Sequence, residues 1–257
     1  MQSECAMDTS SLNEANTDLQ RSEDTDAKSD AVCVRTADLK SLNYNMSHKS
    51  RGRCIIFNHK TFMPNTKQTD RIGTDIDGES LSHIFGILKF SVEQHHNLTF
   101  SEISSILSKA SEMDYSDTDC IACCVLTHGE QSSACQGNKF DAGVKVISCS
   151  NVADSDASYN FLSLPDFLIA QSTVPGYYAW RNTFDGSWFI QALVNTIKKY
   201  HNEMDLLSML TIVNLKVAYY FESHNPNNAE FDKKKQVPCV KTMLTRRIFF
   251  EPLGLKS

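Results

Sequence analysis

The chain has 257 residues, enough for one large α/β domain or two small ones, each with a sizeable core. Hydrophobic residues make up 41% and charged residues 22%, a globular balance, and the net charge of −6 argues against nucleic acid or an anionic membrane as the main partner. Nine cysteines, odd in number and irregularly spaced, read as reduced thiols rather than a disulfide framework. No apolar run approaches the ~20 residues that span a bilayer, and Met1-Gln2-Ser3-Glu4-Cys5 lacks a basic-then-apolar signal pattern. The expectation is a cytoplasmic protein.

Residues 1–50 are rich in Ser, Thr, Asp, Asn and Lys and carry no apolar periodicity, so a disordered leader is expected. Within it, Glu23-Asp24-Thr25-Asp26-Ala27 would present Asp26 to a protease that cuts after Asp, although such a run taken alone reads as a solvated acidic stretch. A continuous apolar run predicts a strand over 53–58, buried on both faces. A loop over 60–73 leads to a helix over 76–88, in which Ile76, Leu81, Ile84, Phe85 and Leu88 fall at helical spacing. A short strand over 89–92 follows. Thr99 and Glu102 form a capping box before Ile103, Ile106 and Leu107. A second buried strand is predicted over 120–127. Its cysteines Cys120, Cys123 and Cys124 read as buried structural thiols and not as a metal or redox site, because residues three apart on a strand point to opposite sides. This alternation is that of an α/β fold with a largely parallel sheet.

That strand ends in Thr127-His128-Gly129-Glu130, and seven residues beyond His128 comes Cys135, within Ser133-Ala134-Cys135-Gln136-Gly137. A thiol is a usable nucleophile at neutral pH only as thiolate, and a histidine is a base of suitable range, so the pair points to a cysteine hydrolase. From 137 to 159 the composition is loop-like, with Asp154-Ser155-Asp156-Ala157-Ser158 at its centre. A strand is predicted over 166–170. Ser187 is expected to cap a helix bearing Trp188, Phe189, Ala192, Leu193 and Ile197, and a second helix spans roughly 206–221. The end, 238–250, reads as a terminal strand.

Six motifs in order resemble those of the effector caspases, insect-like in character: Arg71-Ile72-Gly73-Thr74-Asp75, Thr127-His128-Gly129-Glu130, Ala134-Cys135-Gln136-Gly137, Ser172 through Asn182, Gly186-Ser187-Trp188-Phe189, and Lys235-Gln236-Val237-Pro238. The resemblance covers about residues 44–250. It implies a caspase-like, mostly parallel sheet flanked by helices, with a prodomain over 1–50, a large-subunit region over 51–156 and a small-subunit region over 157–257. It also implies hydrolysis of peptide bonds after Asp in apoptosis. Cys135 would be the nucleophile and His128 the general acid/base, with the backbone N–H groups of Gly129 and Cys135 as oxyanion hole. Arg71 and Arg181 would grip the substrate's Asp, aided by Ser133 where the family has Gln. Tyr178 and Trp180 would line the adjoining apolar subsite and Trp188 the more distant one. Taken without the motifs, a lone Arg is usually a solvated or salt-bridged surface group, and a helix Trp is usually core. The resemblance implies no metal and no cofactor. It further implies a zymogen processed after Asp26 and after Asp154 or Asp156. The partners it implies are protein substrates, a homodimer or a heterodimer with another caspase, and inhibitor-of-apoptosis proteins, with no nucleic acid and no membrane.

One departure is large. The family's catalytic His lies ~50 residues before the Cys, and here the interval is seven. Parallel neighbours need a crossover of a dozen or more residues, so the region is truncated between 130 and 134 and the central strand region is incomplete. Arg71 precedes this gap and Arg181 follows it, and they are not expected to converge. The alternative function is therefore a catalytically dead variant that acts by association with an intact caspase.

Overall fold

The structure, a computed structural model, describes residues 41–128, 144–147, 158–161, 166–174 and 177–250. Three parallel strands form its sheet in the order β2-β1-β3: β1 (Arg53–Asn58), β2 (Ser91–His96) and β3 (Ala122–Leu126). Helix α1 (Thr74–Ile87) connects β1 to β2, and α2 (Phe100–Ser111) connects β2 to β3. The expected α/β class is present. β2 is longer and later than the strand expected over 89–92, because Lys89 takes a φ of 70° and the chain turns there before extending. Its polar sequence hid it: Glu93 pairs with Arg53, and His95 stacks on Phe57 at 5.6 Å, so the strand is held by its neighbour's side chains.

Alternation along β1 divides the core. Cys54 and Ile56 face a large cluster with Leu81 and Ile84 of α1, and with residues of α3 (Trp188–Tyr200) and α4 (Leu206–Tyr220). Ile55 and Phe57 face a smaller cluster with Ala110, Ile103 and Ile106 of α2. β3 departs from the expected burial. Its residues Ala122 and Cys124 pack on the large cluster, but Cys123 is exposed, Val125 is 58% exposed, and Ile121 just before it is 47% exposed. Their partners in register, Ile55 and Phe57, are covered by α2, which does not reach across to β3. Cys123 is thus not the buried thiol expected. Cys54 on β1 is buried instead, and contact with the Cys124 thiol together with burial pushes its pKa up.

Beyond β3 the described strands form separate pairs. β4 (Val144–Ile147) and β5 (Ser158–Phe161) pair antiparallel inside the stretch read as loop; four-residue strands flanked by polar sequence leave too little periodicity to register. β6 (Leu168–Gln171) pairs antiparallel with β9 (Cys239–Thr242), and a hairpin joins β7 (Arg181–Asn182) to β8 (Gly186–Ser187). Among the described residues β3 pairs only with β1. The terminal strand expected to continue to 250 stops at Thr242, because the chain then bonds to the lead-in: Arg247 N–H donates to Leu42 O at 2.9 Å, and Tyr44 N–H donates to Arg247 O at 3.0 Å. Arg51 extends this seam, donating to Asp119 Oδ2 at 2.8 Å and to Phe250 O at 2.5 Å. Among the described residues no helix is long and apolar enough to cross a membrane.

Candidate active site

The polar groups gather at the carboxyl ends of β1 and β3, where parallel strands commonly open a cleft. His128, two residues past β3, is half-buried against Phe62, with ring centroids 4.8 Å apart. Its Nε2 lies 2.8 Å from Thr69 O. A carbonyl only accepts, so Nε2 carries the proton and Nδ1 of the neutral ring is left with its lone pair. A backbone carbonyl thus fixes both tautomer and ring orientation.

Arg71 stands at the end of the loop after β1, 6% exposed, donating to His59 O at 3.0 Å and to Thr74 Oγ1 at 2.6 Å. Thr74 passes its own hydroxyl proton to Asn58 Oδ1 at 2.8 Å, so the last residue of β1 orients the arginine through the first residue of α1. Gly73 makes this turn with a φ of 88°, and a Cβ there would meet Asn182 O at 2.8 Å. That close approach is what brings the β7–β8 hairpin against the loop. Arg181, on β7, donates Nε–H to Ile72 O at 2.9 Å. Arg71 and Arg181 therefore converge, contrary to the expectation that they would not. The contacts described between them run through α1 and the hairpin and involve no residue of 129–143. Burial lowers the pKa of both, and the charge of Arg181 helps bring Arg71 down to about 10, still protonated at neutrality.

Asp77, one turn into α1 and 1% exposed, lies close enough to feel both arginines. Its Oδ1 accepts the Ser187 backbone N–H at 2.7 Å, so Ser187 stands at the N-cap of α3 without the side-chain capping bond expected of it. The sequence reading missed Asp77. The available signal was an acid sharing the apolar stripe of Leu81, Ile84 and Leu88.

The aromatic residues form a ladder beside the arginines. Trp180 stacks on Trp188 at 5.7 Å, Trp188 on Phe221 at 5.4 Å, and Phe231 meets Trp180 edge-on at 6.2 Å and Tyr178 at 6.4 Å. Trp188 is only 8% exposed, so it is core as much as wall, while Tyr178 is 78% exposed. Phe221 and Phe231 had no sequence signal beyond being aromatic. Gln236, quoted in a motif without a role, is 4% exposed and ties the ladder down: its Oε1 accepts from Trp180 N–H at 2.7 Å, and its Nε2 donates to Ser172 O at 2.6 Å. Cys135, Gly129, Ser133, Asp26, Asp154 and Asp156 lie outside the described residues. Among the described residues no group of three or more His, Cys, Asp and Glu could hold a metal ion.

Taken together these groups make an α/β protein with two converging arginines near the carboxyl ends of its parallel strands and a stack of aromatic rings beside them. The family profile described as Caspase domain matches residues 51–134 and 132–249. The chain is 37% identical over 254 residues to Caspase-1 of Spodoptera frugiperda, covering 85% of each, and 32% identical to Caspase-3 of Bos taurus, covering 89% of this chain and all of that one. The crystal structure of the Spodoptera frugiperda Caspase-1 superposes with a TM-score of 0.72 at 37% identity, covering 85% of this chain and 99% of that one. The chain belongs to the caspase family.

Proposed function

We propose that the chain is a caspase-type cysteine endopeptidase that hydrolyses peptide bonds after Asp and acts in apoptosis. The observation that carries this reading is the convergence of Arg71 and Arg181 beside a histidine held in one tautomer. Two guanidinium forks can saturate one carboxylate with charge-assisted bonds, and a pocket so built discriminates against an uncharged side chain. In the reaction, His128 Nδ1 takes the Cys135 thiol proton as Sγ attacks the scissile carbonyl. The tetrahedral oxyanion rests on the N–H groups of Gly129 and Cys135, and collapse releases the amine with the proton returned by His128. Water activated by the same nitrogen then hydrolyses the thioester and frees the thiol. Ser133 would take the family Gln's place beside the substrate's Asp. Tyr178 and Trp180 line the adjoining subsite, and Trp188 with Phe221 the next. Turnover of a fluorogenic peptide ending in Asp, abolished by Cys135→Ser, supports the reading; absence of Cys135-dependent turnover refutes it for this chain.

A second reading has its own support. Six residues between His128 and Cys135 cannot form a crossover and a strand, the profile match falls into two stretches that overlap at 132–134, and Val125 of β3 and Ile121 just before it are exposed. On this reading the chain is a non-catalytic variant that associates with an intact caspase. Co-assembly that lowers the activity of the intact partner distinguishes it from the first. Within either reading, the boundaries at 50 and 156, processing after Asp26 and after Asp154 or Asp156, cytoplasmic location, dimerisation and binding by inhibitor-of-apoptosis proteins are part of the proposal. Mass spectrometry after incubation with an active effector caspase should find ends at these aspartates.

A further inference from the structure

No step of the hydrolysis uses Asp77, yet it is among the least accessible charges described. Its Oδ1 is satisfied by Ser187, but its Oδ2 is buried without a hydrogen-bond partner among the described residues. Such an oxygen is costly to bury, and an electrostatic role has to offset that. Two cations face it, Arg71 from the loop before α1 and Arg181 from β7, and each feels its charge. Neither depends on it for position. Arg71 is anchored on His59 O and Thr74 Oγ1, and Arg181 on Ile72 O, all neutral acceptors. The hairpin is shaped to bring its backbone against the carboxylate: Gly186 has a φ of 85°, and a Cβ there would lie 2.4 Å from Asp77 Oδ1.

We propose that Asp77 is the resident counter-ion of the arginine pair, a specificity-determining residue that leaves the pocket with one net positive charge, matched to a single carboxylate. This deepens the proposed function and rests on its assignment of Arg71 and Arg181 to the substrate's Asp. Without Asp77 the two cations stand unopposed, and the pocket accepts small inorganic dianions as readily as a side-chain carboxylate. Asp77 acts on specificity by repulsion as well as by position: it weakens every anion, and the one with further contacts to the cleft retains the advantage.

The test uses the full chain with Asp77→Asn, which keeps the shape and the acceptor for Ser187. The only two tryptophans, Trp180 and Trp188, stack next to Arg181, so intrinsic fluorescence reports on the pocket. The probes are an acetylated peptide amide ending in Asp, its Asn counterpart, and inorganic sulfate. One unit charge removed a few ångströms away, at an effective dielectric of roughly 20, should tighten the Asp peptide by about tenfold and sulfate, with twice the charge, by about a hundredfold, and leave the Asn peptide unchanged. Unchanged or weaker binding of Asp peptide and sulfate overturns the proposal. Should Asp77→Asn not fold, Asp77→Ser carries the same expectation; failure of both to fold also overturns it, because the arginines would then depend on the carboxylate for their position. Arg181→Gln separates this from the reading beneath it. If wild-type chain shows no preference for Asp over Asn and Arg181→Gln changes nothing, the assignment of the arginines fails. If the preference exists and Arg181→Gln removes it while Asp77→Asn leaves every affinity unchanged, the counter-ion role alone fails.

Discussion

At the scale of single residues, the site holds a charge where the fold would prefer none. Burial raises the Asp77 carboxyl above its usual 3.8, against the pull of Ser187, Arg71 and Arg181. The folded state therefore holds this proton more tightly than the unfolded chain does. Stability from the protonated form is fully present below about pH 4 and is lost as pH rises through the raised folded value. Asp77→Asn should accordingly melt higher than wild type near neutrality, and the difference should close on acidification towards pH 4; a variant that melts lower throughout would show that Asp77 is structurally required. Gly186 carries the opposite expectation. Gly186→Ala combines a positive φ with a Cβ 2.4 Å from Asp77 Oδ1, so it should lower stability by roughly 1–3 kcal/mol and weaken Asp-peptide binding with it, read by denaturant titration and fluorescence. His128 and the two arginines were singled out by the resemblance that the ordered motifs carry, whereas Asp77, Phe221 and Phe231 were not. Their significance comes from what lies across the cleft, and sequence order says nothing of that.

Among the elements, the legible ones were those whose pattern is local. β1 reads directly because both faces are buried, and α2 because its capping box is complete, Thr99 N–H donating to Glu102 Oε2 at 2.7 Å. β2 read only at its first two residues and the β4–β5 pair not at all, since their residues acquire strand form only from partners distant in sequence. β3 read correctly as a strand and wrongly as buried, because burial belongs to whatever covers the sheet. The two sides of β1 and β3 should respond differently to substitution. Phe57→Ala, in the cluster under α2, should cost about 3–5 kcal/mol, while Val125→Lys, at a position 58% exposed, should change stability by less than about 0.5 kcal/mol and raise solubility. If the family's crossover segment is inserted after Glu130 and covers this face, the same Val125→Lys should become destabilising. Equal tolerance in both chains would mean that the inserted segment does not pack on β3.

For the molecule as a whole, the question is what couples the two halves. The β2-β1-β3 sheet and the β6–β9 pair share no described ladder, yet the halves that carry them are joined at several places. α1 packs on α3, Arg51 reaches from β1's lead-in to Phe250, Asp77 holds Ser187, and Arg181 holds Ile72. None of these contacts passes through residues 129–143. Recognition and chemistry should therefore separate. On the proposed function, preference for Asp over Asn, worth about 2–5 kcal/mol when a buried charge-assisted pair is lost, rests on the corner formed by Arg71, Asp77 and Arg181, and it should be equal in the chain as it stands and in one with the family's crossover segment inserted. On the proposed function, turnover needs Cys135 in near-attack geometry with His128, and it should rise by orders of magnitude only on insertion of the family's crossover segment. Peptide binding by fluorescence and single-turnover kinetics on the two chains read these separately. Asp preference that appears only with the inserted segment would place that segment, and not the α1–hairpin contacts, in control of the pocket.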